Sequence, residues 1–208
     1  MDWTSIYLKT SGLNVFILGT GEVAIRRANK FLENGASVKL AGSHIDDVMV
    51  EKGVSFHTTD EINELIEWSD LVVIANDDVE LADYVASLAQ DKLINRADFP
   101  EEGDFIVPTS FNIGDVGISI FTNGKSPLMA RKLRERIQDI ITEEDILEIE
   151  LQDYARTLLK KAILNQKRRR QYLYEIFEDE TLDEFIKSRD ISEAKSYIDN
   201  LIKGFDDT

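Results

Sequence analysis

The sequence predicts an α/β protein: a doubly wound parallel sheet, then a short intervening segment, then an all-helical C-terminal domain. Three observations predict it. Short, β-branched apolar runs alternate with polar helical stretches through the first half of the 208 residues. A glycine turn, Gly19-Thr20-Gly21-Glu22-Val23-Ala24, closes the first run and opens the first helix. Ten of the 11 Gly and all three Pro lie at or before Pro127, whereas 128–203 contains neither and reads as helix throughout.

Taken in order, NVFIL (14–18) is a strand ending at Gly19, and 22–34 is a helix stopped by Gly35. Residues 37–41 form a second strand and 54–57 a brief third, followed by a helix over 60–68. DLVVIA (70–75) is a strongly apolar strand, 79–90 a helix and 92–97 another strand. Nearly continuous apolar strands imply a parallel sheet covered on both faces, and the order fits a Rossmann-like nucleotide-binding domain. Residues 105–108 and 117–122 are expected as further short strands. Ser126 is expected to cap a helix whose first turn holds Pro127. From Thr142, a second N-cap candidate with acids after it, one long helix to about residue 177 is expected, then helices over 182–188 and 192–202.

Composition excludes several classes. There is no Cys, hence no disulfide, thiol catalysis or Cys-ligated metal. The two His, His44 and His57, lack a metal-ligand spacing, so no metal site is expected. A net charge of −16 argues against nucleic acid as a partner. No apolar run is long enough to span a membrane, and the amino-terminal stretch Met1-Asp2-Trp3-Thr4 does not read as a leader, so a cytoplasmic protein is expected. Two basic clusters, 125–136 and 160–170, interrupt the acidic background. Each reads either as a solvated helix face or as a receiver of an anionic ligand.

The glycine turn carries the clearest chemistry. Gly19 permits the tight turn, Gly21 lets a pyrophosphate approach the backbone, and Ala24 lets helix and strand pack closely. The first-turn N–H groups and the helix dipole then hold the phosphate charge. The usual ribose-binding acid about 20 residues further on is missing. The second strand ends Leu40-Ala41-Gly42-Ser43-His44, where Ser43 could bond a ribose and no Arg awaits a 2′-phosphate. NAD is therefore favoured over NADP. Ligands of such sheets bind at the carboxyl ends of strands, which here bear Asn76-Asp77-Asp78 and Asp98-Phe99-Pro100. Asp77 or Asp78 reads as a helix N-cap. Asp98 starts no obvious helix; it is either a turn residue or a carboxylate base beside a nicotinamide.

Four segments together carry a resemblance: VFILGTGEVAIRRANKFLENGASVKL, DLVVIANDDVELAD, INRADFPEEGDFIVP and TNGKSPLMARKLRERI. They resemble, over about residues 5–140, the precorrin-2 dehydrogenase / sirohydrochlorin ferrochelatase family, the N-terminal module of siroheme synthases. The resemblance implies NAD-dependent oxidation of precorrin-2 to sirohydrochlorin, with Asp98 catalytic. It implies dinucleotide contacts at Glu22, Val23, Ser43 and His44, beside Gly19, Thr20, Gly21, Asn76 and Asp77. Ser126 matches a residue near the tetrapyrrole pocket. Lys125, Arg131 and Arg134 could pair with substrate carboxylates, and Asn95 could line the cleft; surface charge and strand-end hydrogen bonding remain the alternatives. The family forms homodimers, implying domains over 1–113 (NAD-binding), 114–145 (dimerisation) and 146–208 (helical). Ferrous iron would be a second substrate were the chain also a chelatase. A noncatalytic NAD- or tetrapyrrole-binding module is the remaining reading. Two departures stand out: Phe121 occupies a usually small position, and Arg96, two residues before Asp98, replaces a usually apolar one. Facing the cleft, Arg96 could lower the Asp98 pKa or bind a substrate carboxylate.

Overall fold

The computed structural model describes residues 3–44 and 47–205; the start of the amino-terminal stretch, Met1-Asp2, lies outside them. The chain divides into two compact units after Val107. In the first unit, β1 (Asn14–Leu18), β2 (Ser37–Ala41), β3 (Ser55–His57), β4 (Leu71–Ile74) and β5 (Leu93–Arg96) form one parallel sheet in the order β3-β2-β1-β4-β5. Its helices are α1 (Glu22–Glu33), α2 (Asp47–Glu51), α3 (Ile62–Trp68) and α4 (Val79–Leu88).

Alternation along the strands splits the core in two. Val15, Ile17, Val38, Leu40, Leu71 and Val73 face α1, which presents Ala24, Ala28 and Phe31 at helical spacing. Phe16, Leu18, Val72, Ile74 and Ile94 face α3 and α4. Strands buried on both faces explain why β1 and β4 are almost unbroken apolar runs.

The second unit begins with an antiparallel hairpin of β6 (Thr109–Ile113) and β7 (Val116–Ile120). Helices α5 (Pro127–Ile140), α6 (Glu143–Ala162), α7 (Gln166–Phe177), α8 (Glu180–Ser188) and α9 (Ile191–Lys203) follow. Leu151, Ala155, Leu159, Ile176, Leu182 and Ile198 centre an all-helical core. Among the described residues, no helix is long and apolar enough to cross a membrane.

The structure departs from expectation as follows. Residues 105–108 form no strand. Their run bonds back to β5 through Phe105 N–H to Ile94 O and buries Phe105 and Val107 against the α1 side. The helix α2 was not anticipated; five residues are too few to display a period. The long helix expected over 142–177 is broken at 163–165. Asn165 caps α7 by accepting from the N–H groups of Lys167 and Arg168. Arg169 turns back to donate to Ile163 O and Leu164 O, closing the end of α6, while Ile163 turns into the core. An N-cap side chain offers the backbone an alternative to continued helix. Asn165→Ala is therefore expected to lower stability by about 1 kcal/mol, and Asn165→Asp by much less, read from urea unfolding of the purified chain.

Candidate functional site

A parallel sheet gathers the carboxyl ends of all its strands at one edge. Strand order reverses between β1 and β4, so the loops after these two strands diverge and leave a crevice. The glycine turn sits there. Gly19 has φ +117, and a Cβ on it would lie 2.0 Å from Ala75 O, so only glycine lets the β1 and β4 loops approach. Gly21 is the N-cap of α1 with φ −74, and no side chain caps that helix. A Cβ on Gly21 would meet nothing within 4 Å. An uncapped helix start facing open space suits a pyrophosphate, so the residues present fit a dinucleotide.

Around the turn, Glu22 and Val23 are exposed, as are Ser43 and His44 after β2. Gly42 is pressed against Thr20, with 2.7 Å from a hypothetical Cβ to the Thr20 methyl, which brings the Ser43 loop beside the glycine turn. After β4, Asn76 accepts from Asp78 N–H at 3.1 Å, and Asp78, not Asp77, caps α4 through Leu81 N–H. Asp77 is exposed.

The end of β5 holds the densest charge. Asp98 accepts from Arg96 Nε at 3.0 and 3.1 Å and from its second terminal nitrogen at 2.7 Å. The Arg96 side chain is 3% exposed and that of Asp98 15%. The same guanidinium reaches Asp83 on α4 at 2.9 Å and Glu102 at 3.4 Å, and lies 5.5 Å from the Phe99 ring centre. Burial raises the Asp98 pKa, but the Arg96 hydrogen bonds and backbone N–H groups outweigh it and hold the carboxyl below its ordinary value. Hydrogen bonding to Asp98 drives Arg96 the other way, further above its ordinary pKa.

Asn95 points to the opposite face from Arg96. It is buried, and its Nδ2 donates to Phe105 O at 2.8 Å, so it pins the returning chain and is not brought to the rim. Asp83 and Glu102 were not singled out in the sequence. The signal available was Arg96 itself, since a charge inside an apolar strand must be paired.

In the second unit, Ser126 caps α5 by accepting from Met129 N–H, with Pro127 at the first position, as anticipated. Asn123 adopts the left-handed conformation, φ 54, that its residue type tolerates, and Gly124 follows with φ 70. Lys125 is exposed beside this turn. Arg131 pairs with Glu135 at 3.1 Å, and Arg134 lies 5.5 Å from the Phe111 ring centre. Among the described residues, no group of three His, Asp or Glu could hold a metal ion.

The chain is similar to several known proteins. A family model described as "Putative NAD(P)-binding" matches residues 6–109. A "Putative precorrin-2 dehydrogenase" of Methanocaldococcus jannaschii is 31% identical over 196 residues, covering 88% of this chain and 93% of that protein. The "Precorrin-2 dehydrogenase" of Methanosarcina barkeri is 29% identical over 194 residues, covering 87% and 85%. "Siroheme synthase 2" of Aeromonas hydrophila is 26% identical over 212 residues, 96% of this chain but only 43% of that protein. The solved structure of SirC, precorrin-2 dehydrogenase, superposes with a TM-score of 0.74 at 21% identity, covering 98% of this chain and all of that one, and shares the fold.

Two glycine variants separate fold from ligand. Gly19→Ala is expected to disrupt the β1–β4 approach and lower the melting temperature. Gly21→Ala, which meets no clash but is a poorer N-cap, is expected to lower melting far less while weakening NAD binding about tenfold, a loss of ~1.4 kcal/mol, measured by calorimetric titration.

Proposed function

The chain belongs to the precorrin-2 dehydrogenase family, and from that premise we propose that it oxidises precorrin-2 to sirohydrochlorin with NAD as hydride acceptor. The observation that carries this reading is that Asp98 follows β5 at the same sheet edge where the glycine turn follows β1. Two strand spacings, about 10 Å, separate β5 from β1, a distance suited to a cofactor laid from the phosphate turn towards the carboxylate.

The reaction balances as loss of a hydride and a proton from the macrocycle, yielding sirohydrochlorin, NADH and H⁺. In this reading the first turn of α1 holds the pyrophosphate, and Ser43 or His44 meets the ribose. Asp98 stays ionised, stabilises positive charge as the hydride leaves, and accepts or relays the proton. Lys125, Arg131 and Arg134 supply positive charge for substrate carboxylates. A homodimer built through residues 114–145 belongs to the same proposal. On α5, Met129 and Ile140 are exposed apolar residues on the stripe that also bears the half-buried Leu133 and Ile137. A cytoplasmic setting belongs to the same proposal.

The test is anaerobic turnover of enzymatically made precorrin-2 with NAD, following sirohydrochlorin and NADH together. Asp98→Asn is expected to lower kcat by about 10²–10⁴-fold with NAD affinity unchanged; a fully active variant would remove Asp98 from the mechanism. Adding ferrous iron to the same assay tests chelation. Ile140→Asp is expected to shift the chain from dimer to monomer in light scattering.

A further inference from the structure

Arg96 is built into the fold with more care than a surface ion pair requires. It ends a strand that opens on Leu93-Ile94, yet its side chain is only 3% exposed. Its donors go to three different segments: Asp98 beyond β5, Asp83 on α4, and Glu102 in the 3-10 turn over Pro100–Glu102. The loop that closes over it is fitted to it. A Cβ on Gly103 would lie 2.9 Å from Arg96 N and 3.0 Å from Ile94 O, so glycine is what lets the chain cross there. Asp104 then latches that loop by accepting from Ile94 N–H at 3.0 Å. Asp83 and Glu102 are 61% and 63% exposed and can satisfy themselves with water; Asp98, at 15%, cannot. The fork of Arg96 therefore matters most to Asp98, both of whose oxygens it holds.

We propose that Arg96 is a positioning residue for the dehydrogenation, fixing Asp98 in one orientation and as a carboxylate at the cofactor edge of the sheet. The proposal rests on the reading of Asp98 given above and adds a residue that acts only through it. Three carboxylates around one guanidinium leave a local excess of negative charge, suited to a substrate that becomes cationic as hydride departs.

The sign of the effect is set by the groups that face Asp98. Its own burial disfavours its ionisation, and Asp83 from α4 and Glu102 from the 3-10 turn draw on the same guanidinium; Arg96 and the Phe99 N–H favour it. Without Arg96 the carboxyl must titrate higher. In Arg96→Met, the acid limb of kcat/KM is expected to move to higher pH by about one to three pH units. In Arg96→Lys, which keeps the charge but loses the fork, the limb is expected to stay low while kcat falls about tenfold, a change of ~1.4 kcal/mol. The Asp98 carboxyl ¹³C signal, titrated in the ligand-free protein, reads the same shift without turnover. Should Arg96→Met fail to fold, the surface double variant Asp83→Asn/Glu102→Gln decides. It leaves the Arg96–Asp98 pair and is expected to move the limb lower. An unmoved limb and ¹³C titration in the folded variants would overturn the proposal, leaving Arg96 a staple of the loop. If Asp98→Asn is fully active while the ¹³C titration shifts, the catalytic reading fails and the pairing stands.

Discussion

Parallel strands buried on both faces are the constraint from which the site follows. Strands β1 and β4 have no solvent-facing side, so helices must cover both faces and every crossover must return to the same end of the sheet. The loops that follow the strands are thereby collected at one edge. The reversal between β1 and β4 then opens a crevice at that edge, and Gly19 makes it tight by removing the one atom that would strike Ala75 O. The location of a dinucleotide site is a consequence of packing before any chemistry is considered.

Placing a charge in such a sheet is costly unless it is paired. Arg96 shares its β-sheet register with Ile74, a core residue, and its charge is met at once by Asp98, Asp83 and Glu102. The Asp98 pKa is depressed in the folded chain, so its contribution to stability is present above the unfolded value of about 3.9 and is lost as pH falls through the lower folded value. Over the neutral range the pair is therefore constant. Ordinary changes of pH in that range do not unlock Asp98.

Much of this was legible in the residues. Strand periodicity, the glycine turn and the Ser126-Pro127 helix start each rest on local chemistry that one sequence displays. The misses share a different cause. Residues 105–108 have strand-like composition but meet β5 through only a few bonds, too few to make a ladder. The break at Asn165 depends on Arg169 folding back over the end of α6, a contact that helical periodicity cannot register. Asn95 and Arg96 are adjacent in sequence and on opposite faces of β5, and their partners, Phe105 O and Asp98, lie outside the strand where periodicity does not reach. Asp83 was invisible because its partner lies on another element.

A carboxylate held below its ordinary pKa is a weak base, which at first sight sits poorly with proton removal. The order of events resolves this. Loss of a hydride leaves the macrocycle with positive charge, and the protons on a cationic tetrapyrrole are far more acidic than those of the neutral one. A strong base is then unnecessary, and a protonated carboxyl would be useless. What the step requires is a negative charge already in place, held still, at the point where positive charge develops. In the proposed mechanism, Arg96 weakens Asp98 as a base while meeting both of those conditions. Hydride transfer and the pairing of Asp98 are therefore compatible demands on one carboxylate.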